Sequence, residues 1–265
     1  MLLILHLLPV LKSWAYNRTE ELAINSSAWK QHFCDNELKA LILQDVVRTF
    51  PDETYFRDKD VQDTMVRVLF FWSRAHPSPG YRQGMHEVLA PLLFELYCDR
   101  NIQLIYFLIQ NSVLFIKVYT FLNCSMLFSA VMKGLEQFYS TGDVIPTDTC
   151  ILCSIINVFY FYIKQKNVFF SRWLRLLFGR EFPRTEIPNL WSFIFSDGPM
   201  LPNLHHIVVA MLMSIRTALL ECDTGGALSL LMRPSSASAG HVCALSLHLR
   251  DPVRYPSPPA QLNNR

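Results

Sequence analysis

Apolar residues return at every third or fourth position along most of this chain, and no stretch alternates apolar and polar side chains as a half-buried strand would. That period restricts the fold to packed amphipathic helices, an all-α architecture. The clearest case runs from Asp60 to His76, where Val61, Met65, Val68, Leu69 and Trp72 form one stripe that stops at Pro77-Ser78-Pro79-Gly80. Met85, Val88, Leu89, Leu92, Leu93 and Leu96 predict a further helix from about Tyr81, kinked at Pro91, with Gln83 and Gly84 in its first turn. Upstream, Leu38, Leu41, Ile42 and Val46 share a face of a helix from about Glu37 to Thr49, and Pro51 ends it.

The second half is read in the same way. Ser171 to Phe178 reads as a helix closed by Gly179, followed by a loop at Arg180-Glu181-Phe182-Pro183 and a short helix around Trp191. After a turn at Asp197-Gly198-Pro199, the stripe Leu204, Ile207, Val208, Met211, Leu212, Ile215, Leu219 predicts one long regular helix. From about Arg233 the composition turns to Pro, Ser, Ala and Asn, which predicts a disordered tail over 233–265. Residues 1–36 then form an N-terminal segment that begins the helical domain, and 37–232 its body.

Two stretches are unusually apolar, 102–132 and 151–170. Ile102 to Ile116 carries no charge, yet it holds three amide side chains and falls short of the ~20 residues a spanning helix needs. A buried helix is the main expectation there, with membrane attachment through 102–132 as the alternative. Met1 to Leu11 is apolar but lacks a basic n-region, so it reads as a core helix rather than a signal peptide.

At 265 residues, 51% hydrophobic and 17% charged, the chain can bury a sizeable core. Its net charge of +2 comes from scattered basic residues, so it lacks the electrostatic footprint of a nucleic-acid or anionic-membrane binder and points to a protein partner. The seven cysteines are odd in number, and Cys150-Ile151-Leu152-Cys153 has no second pair to complete a zinc site. Reduced thiols in a cytosolic protein follow. There is no G-x-x-x-x-G-K phosphate loop, no H-E-x-x-H and no G-x-S-x-G, and the pair His205-His206 stands without a nucleophile or ligand set. The glycosylation tripeptides at Asn17, Asn25 and Asn123 are too short a pattern to carry an argument.

Two runs place polar residues where the pattern does not ask for them. Asp45 falls inside the apolar stripe of its helix, where an unpaired carboxylate costs several kcal/mol. Arg48, three residues on, is its nearest candidate partner. Tyr81-Arg82-Gln83-Gly84-Met85 then sets a glutamine and a glycine at a helix entrance. An arginine and a glutamine on separate helix ends can complete the active site of another protein.

At these residues the chain resembles the TBC domain, the helical GTPase-activating domain that acts on Rab GTPases. Ile42, Asp45 and Arg48 match the family's I-x-x-D-x-x-R, and Tyr81, Gln83, Gly84 and Met85 match its Y-x-Q-G-M, in the family's order. Arg172-Trp173-Leu174, Arg180-Glu181-Phe182-Pro183 and Trp191 resemble a later family block, although Ser192 stands where Asp is common. The run from Gln83 to Pro91 is similar to the branch associated with retromer and autophagy on late endosomes.

The resemblance implies that Arg48 is an arginine finger and Gln83 a glutamine finger, both supplied to a Rab GTPase in its GTP-bound state. It implies that Asp45 orients the finger, and that Tyr81, Gly84 and Met85 shape and seat the loop. The physics of phosphoryl transfer explains the pair: guanidinium supplies fixed positive charge to oxygens gaining charge, and the amide orients water or contacts backbone. Such a chain runs no self-contained reaction and has no cofactor of its own, because GTP and Mg²⁺ belong to the Rab. The resemblance further implies a cytoplasmic protein peripheral to endosomal membranes, reaching them through the Rab, with retromer or autophagy components as further partners. A scaffold with weakened catalysis is the alternative within the family. Trp173, Phe182, Pro183 and Trp191 read as core, and Arg175 and Arg180 as solvated surface cations.

Overall fold

A computed structural model describes residues 28–99, 113–140, 168–198, 200–232 and 237–259. Every regular element among them is helical, α apart from one 3₁₀ turn. The fold comprises two compact units that divide between Tyr81 and Arg82.

In the first unit, α1 (Ala28–Val47), α2 (Thr54–Arg57) and α3 (Lys59–Ala75) carry the core. Ile42, Val46, Phe56, Met65, Val68, Leu69 and Trp72 are all buried, and α1 packs along α3. Asp58 caps α3 by accepting from the Asp60 N–H at 2.8 Å, which satisfies one of the orphan donors of a helix start. On the α1/α3 flank, Lys39 lies over the Phe70 ring at 4.6 Å and Asp35 meets Arg74 at 3.4 Å. The buried face of α1 runs through Ile42, Asp45 and Val46 and continues to Thr49 in the turn beyond it, so Leu41, expected in the stripe, is exposed. Successive helix positions differ by 100°, so a face centred between 42 and 46 leaves 41 about 120° away, off that face.

In the second unit, α4 (Met85–Cys98) packs on α5 (Val113–Ser140), and α5 on α6 (Val168–Arg175). Met85, Leu89, Leu93, Phe128, Met132, Leu135 and Trp173 form the centre of this core. The helix expected from Tyr81 begins at Met85 instead, because Gly84 takes the left-handed conformation at φ 104° as its N-cap. Gln83 therefore precedes the helix rather than sitting in its first turn. Pro91 lies inside α4 and is buried.

Beyond α6 the chain turns at Leu177 and Phe178, whose φ values are 47° and 60°. The sequence assigned that stop to Gly179. Complete burial of Leu177 and Phe178 offsets the left-handed strain these side chains carry. A 3₁₀ turn (Arg184–Glu186) leads into α7 (Ile187–Ser196), the short helix expected around Trp191. The long helix expected over 204–219 is two: α8 (Leu204–Ser214) and α9 (Arg216–Glu221), which meet at Ile215. The Ser214 hydroxyl donates to the Ala210 carbonyl at 2.8 Å, a back-bond that competes with the helical ladder at the break. α10 (Thr224–Leu231) follows, capped by Asp223.

The expected tail from Arg233 is corrected by α11 (Ala239–Arg250), which packs on α7 and α8. Ala239, Val242 and Leu245 are buried on one side of it. Ser238 caps its start, the Ala239 N–H donates to Glu186 Oε2 at 2.6 Å, and Arg250 binds Asp197 through two nitrogens at 2.7 and 3.2 Å. Flanking Pro and Ser dominate the local composition, yet the spacing 239, 242, 245 gives enough apolar surface to dock a helix. Residues 260–265 lie outside the described residues.

In the apolar stretch 102–132, residues 102–112 lie outside the described residues and the rest belongs to α5. Cys124, Phe128, Val131, Met132, Leu135, Phe138 and Tyr139 along α5 are buried. Among the described residues no helix is long and apolar enough to cross a membrane. Asn123 sits within α5 with its side chain donating to the Tyr119 carbonyl at 2.9 Å. The readings of 1–11, Asn17, Asn25, Cys150–Cys153 and 151–167 fall outside the described residues.

Candidate functional site

One group of candidate residues stands at the C-terminal end of α1, in the first unit. Helical spacing puts Asp45 on the buried face, 5% exposed, beside Ile42 and Val46. An isolated carboxylate there would be costly, and it is engaged on every side. Its Oδ1 pairs with the Arg48 guanidinium, and its Oδ2 accepts from the Tyr81 hydroxyl at 2.8 Å. Its backbone carbonyl accepts from the Thr49 hydroxyl at 3.0 Å. α1 ends at Val47, where the Thr49 N–H closes a turn onto the Val46 carbonyl at 3.0 Å. Arg48 thus stands just past the helix, its side chain 54% exposed while one guanidinium nitrogen is tied to Asp45. This arrangement presents a fixed cation to an incoming anion and leaves further donors for it.

The other group of candidate residues stands at the start of α4, in the second unit. Gln83 is exposed in the turn that precedes the helix. The turn is closed by the Met85 N–H to the Arg82 carbonyl at 3.2 Å and the Glu87 N–H to the Gly84 carbonyl at 3.0 Å. Met85 is fully buried beneath it, and its Sδ lies 3.4 Å from the Arg82 nitrogen. Gly84 is required twice over: its φ is left-handed, and a Cβ there would come within 2.9 Å of Leu176 Cδ2. Leu176 belongs to the turn after α6. The Tyr139 hydroxyl near Gly84 donates to the Arg175 carbonyl at 2.8 Å, and Arg175 Nε donates to the Phe138 carbonyl at 2.7 Å. Burial pushes the Tyr139 phenol up, against the opposing pull of Arg175, so it remains a donor across the physiological range.

The structure therefore gathers Asp45, Arg48 and Tyr81 in the first unit and Gln83, Gly84 and Met85 in the second. Two arginines expected to be solvated are engaged instead. Arg175 ties α6 to the end of α5, and Arg180 grips Glu87 of α4. Nearby, fully buried Glu181 pairs with Arg172, whose guanidinium also donates to the Met232 carbonyl at 3.0 Å. Desolvation pushes the Glu181 carboxyl up even though the Arg172 charge pulls it down. The Arg180–Glu87 pair spans 93 residues and the Arg172–Glu181 pair crosses a turn between elements, so neither leaves a helical period to read. Among the described residues no group of three His, Cys, Asp or Glu side chains could hold a metal.

This geometry, a tethered and exposed arginine after one helix and an exposed glutamine ahead of another, falls within a chain whose residues 8–220 match the Rab-GTPase-TBC domain family. The protein belongs to that family, and the match spans both units. It is 32% identical to TBC1 domain family member 5 of Homo sapiens, an alignment that covers 88% of this chain and 34% of that protein, and 30% identical to the Mus musculus counterpart. The chain thus spans about a third of the length of these relatives. In fold it is similar to the Ypt/Rab-GAP domain of Gyp1p, with a TM-score of 0.62 at 16% identity over 89% of this chain and 77% of that one. The Chlamydomonas flagellar RabGAP TBC domain is similar at a TM-score of 0.52 and 18% identity, over 90% of this chain and 79% of that one.

Proposed function

We propose that this chain is a GTPase-activating protein for a Rab-family small GTPase, supplying Arg48 and Gln83 in trans to the GTP-bound partner. The observation that carries this reading is the Asp45–Arg48–Tyr81 arrangement, in which a buried carboxylate tethers an otherwise exposed guanidinium. Tethering lowers the entropy the arginine loses on engaging phosphate oxygens, and its remaining donors stabilise charge that develops on them. Gln83 orients the attacking water or contacts the partner's backbone. Asp45 serves through Arg48; set against a γ-phosphate itself, it would repel it. The bond broken is the β–γ phosphoanhydride of GTP, which water cleaves to GDP and phosphate, and GTP and Mg²⁺ come with the Rab.

The resemblance of the Gln83–Pro91 run supports a place in endosomal trafficking, with the chain peripheral to the membrane and retromer or autophagy components as further partners. The test is single-turnover GTP hydrolysis by a panel of purified, GTP-loaded Rab GTPases with the wild-type chain, Arg48→Ala and Gln83→Ala. Acceleration of at least one Rab is expected, with Arg48→Ala lowering it by about 10³- to 10⁵-fold, on the order of 4–7 kcal/mol of barrier. Lack of acceleration by folded wild-type protein would overturn the reading in favour of a partner-binding scaffold.

A further inference from the structure

Glu87 sits in the first turn of α4 with its side chain 14% exposed, and both of its oxygens are taken by one residue. Arg180 Nε donates to Oε2 at 2.6 Å, and Arg180 Nη2 donates to Oε1. On the other side of Glu87, His86 is buried with Nε2 3.5 Å from Oε1, and its Nδ1 accepts from the Gly84 N–H at 3.4 Å. The sequence of contacts from Arg180 through Glu87 and His86 therefore ends on the amide that follows Gln83. The loop that carries Arg180 also carries Leu176, the side chain against which Gly84 is packed. That loop is itself held by the Gly179 N–H to the Leu176 carbonyl at 2.9 Å and by Trp191 Nε1 to the Leu177 carbonyl at 2.9 Å.

We propose that Arg180 and Glu87 are positioning residues for Gln83, their two-pronged pair fixing the first turn of α4 and with it the glutamine turn. The functional side of this rests on Gln83 being presented to a Rab GTPase. A half-exposed ion pair adds little to global stability, but a planar two-point contact fixes direction, and direction is what a residue delivered in trans requires. Hydrogen bonding to Glu87 raises the pKa of Arg180, a guanidinium that is charged in any case.

Two measurements on the full chain test it. In single-turnover hydrolysis by the Rab that the wild type accelerates, Arg180→Ala is expected to lower the saturating rate about 10- to 100-fold with KM changed less than about threefold. The same substitution in a Gln83→Ala background should cost less than about twofold, and Arg180→Lys, which keeps charge but loses the fork, should fall between. Equal cost in both backgrounds, or an effect on KM alone, would overturn the proposal in favour of a general support or a partner contact. In the unliganded chain, hydrogen exchange at the Gly84 and Met85 amides should quicken at least about fivefold in Arg180→Ala and in Glu87→Gln, with Tm unchanged within about 2 °C. Unaltered exchange overturns the positioning role whether or not any Rab responds. Altered exchange with no Rab accelerated by the wild type upholds positioning of the turn and removes the activator reading alone.

Discussion

Asp45 accepts from two side chains through its two oxygens, and the Tyr81 bond is the one that can be removed without disturbing charge. Tyr81→Phe keeps the ring and deletes a bond to a carboxylate worth about 1.5–3 kcal/mol in context. If Arg48 works as proposed, that variant accelerates hydrolysis about tenfold less while its circular dichroism is unchanged. An undiminished rate would show that Arg48 needs no help from Tyr81. Gly84 presents the opposite case, where backbone and space both forbid a side chain. Gly84→Ala should lower stability by about 1–3 kcal/mol, read from urea midpoints, since it adds left-handed strain and a collision with Leu176.

At the scale of elements, α11 is the helix whose docking most depends on a few side chains. Val242 is fully buried, Ala239 and Leu245 nearly so, and the element lies against α7 and α8. Val242→Asp buries an unpaired carboxylate in that contact and should destabilise by on the order of 3–5 kcal/mol, whereas the same change at exposed Val253 should leave thermal unfolding within about 1 °C. Comparable shifts at both positions would mean that α11 contributes no core. The helix was not read from sequence because Pro and Ser around it dominate the local composition, while its three apolar anchors make too short a stripe to stand out. The division of α8 from α9 at Ile215 was equally hidden, since the apolar spacing runs through the break without interruption.

For the whole molecule, pH acts through groups that folding has brought together. His206 is lowered first by burial, then by the adjoining His205 ring and the Arg250 guanidinium; His205 is lowered first by burial and also by Arg250. The two rings lie 3.9 Å apart between centroids, and His206 Nδ1 is buried without a hydrogen-bond partner. Folded values below the ordinary 6.5 mean that the unfolded chain binds more protons near pH 6. The stability they contribute is complete above about pH 6.5 and is lost as pH falls toward the folded values. Glu181, raised by burial, has the opposite sign and favours the folded state as pH falls through the carboxylate range. Urea midpoints should therefore decline between about pH 7.5 and about pH 5.5, and the decline should be shallower in His206→Gln. A profile identical in the variant would remove His206 from the account.

What the sequence determined by itself is local: the helical class, the stripes of α1, α3 and α4, the turn after Trp72 and the Asp45–Arg48 spacing all follow from period and adjacency. Those are properties of residues within a few positions of each other, where geometry is fixed by 3.6 residues per turn. Tertiary structure alone decided the rest. It supplied the Tyr81 hydroxyl to Asp45, put Leu176 where only a glycine fits, gave Arg180 its carboxylate and docked α11. Each of these joins residues far apart in the chain, so the energy that fixes them exists only once the helices have packed, and no local pattern records it.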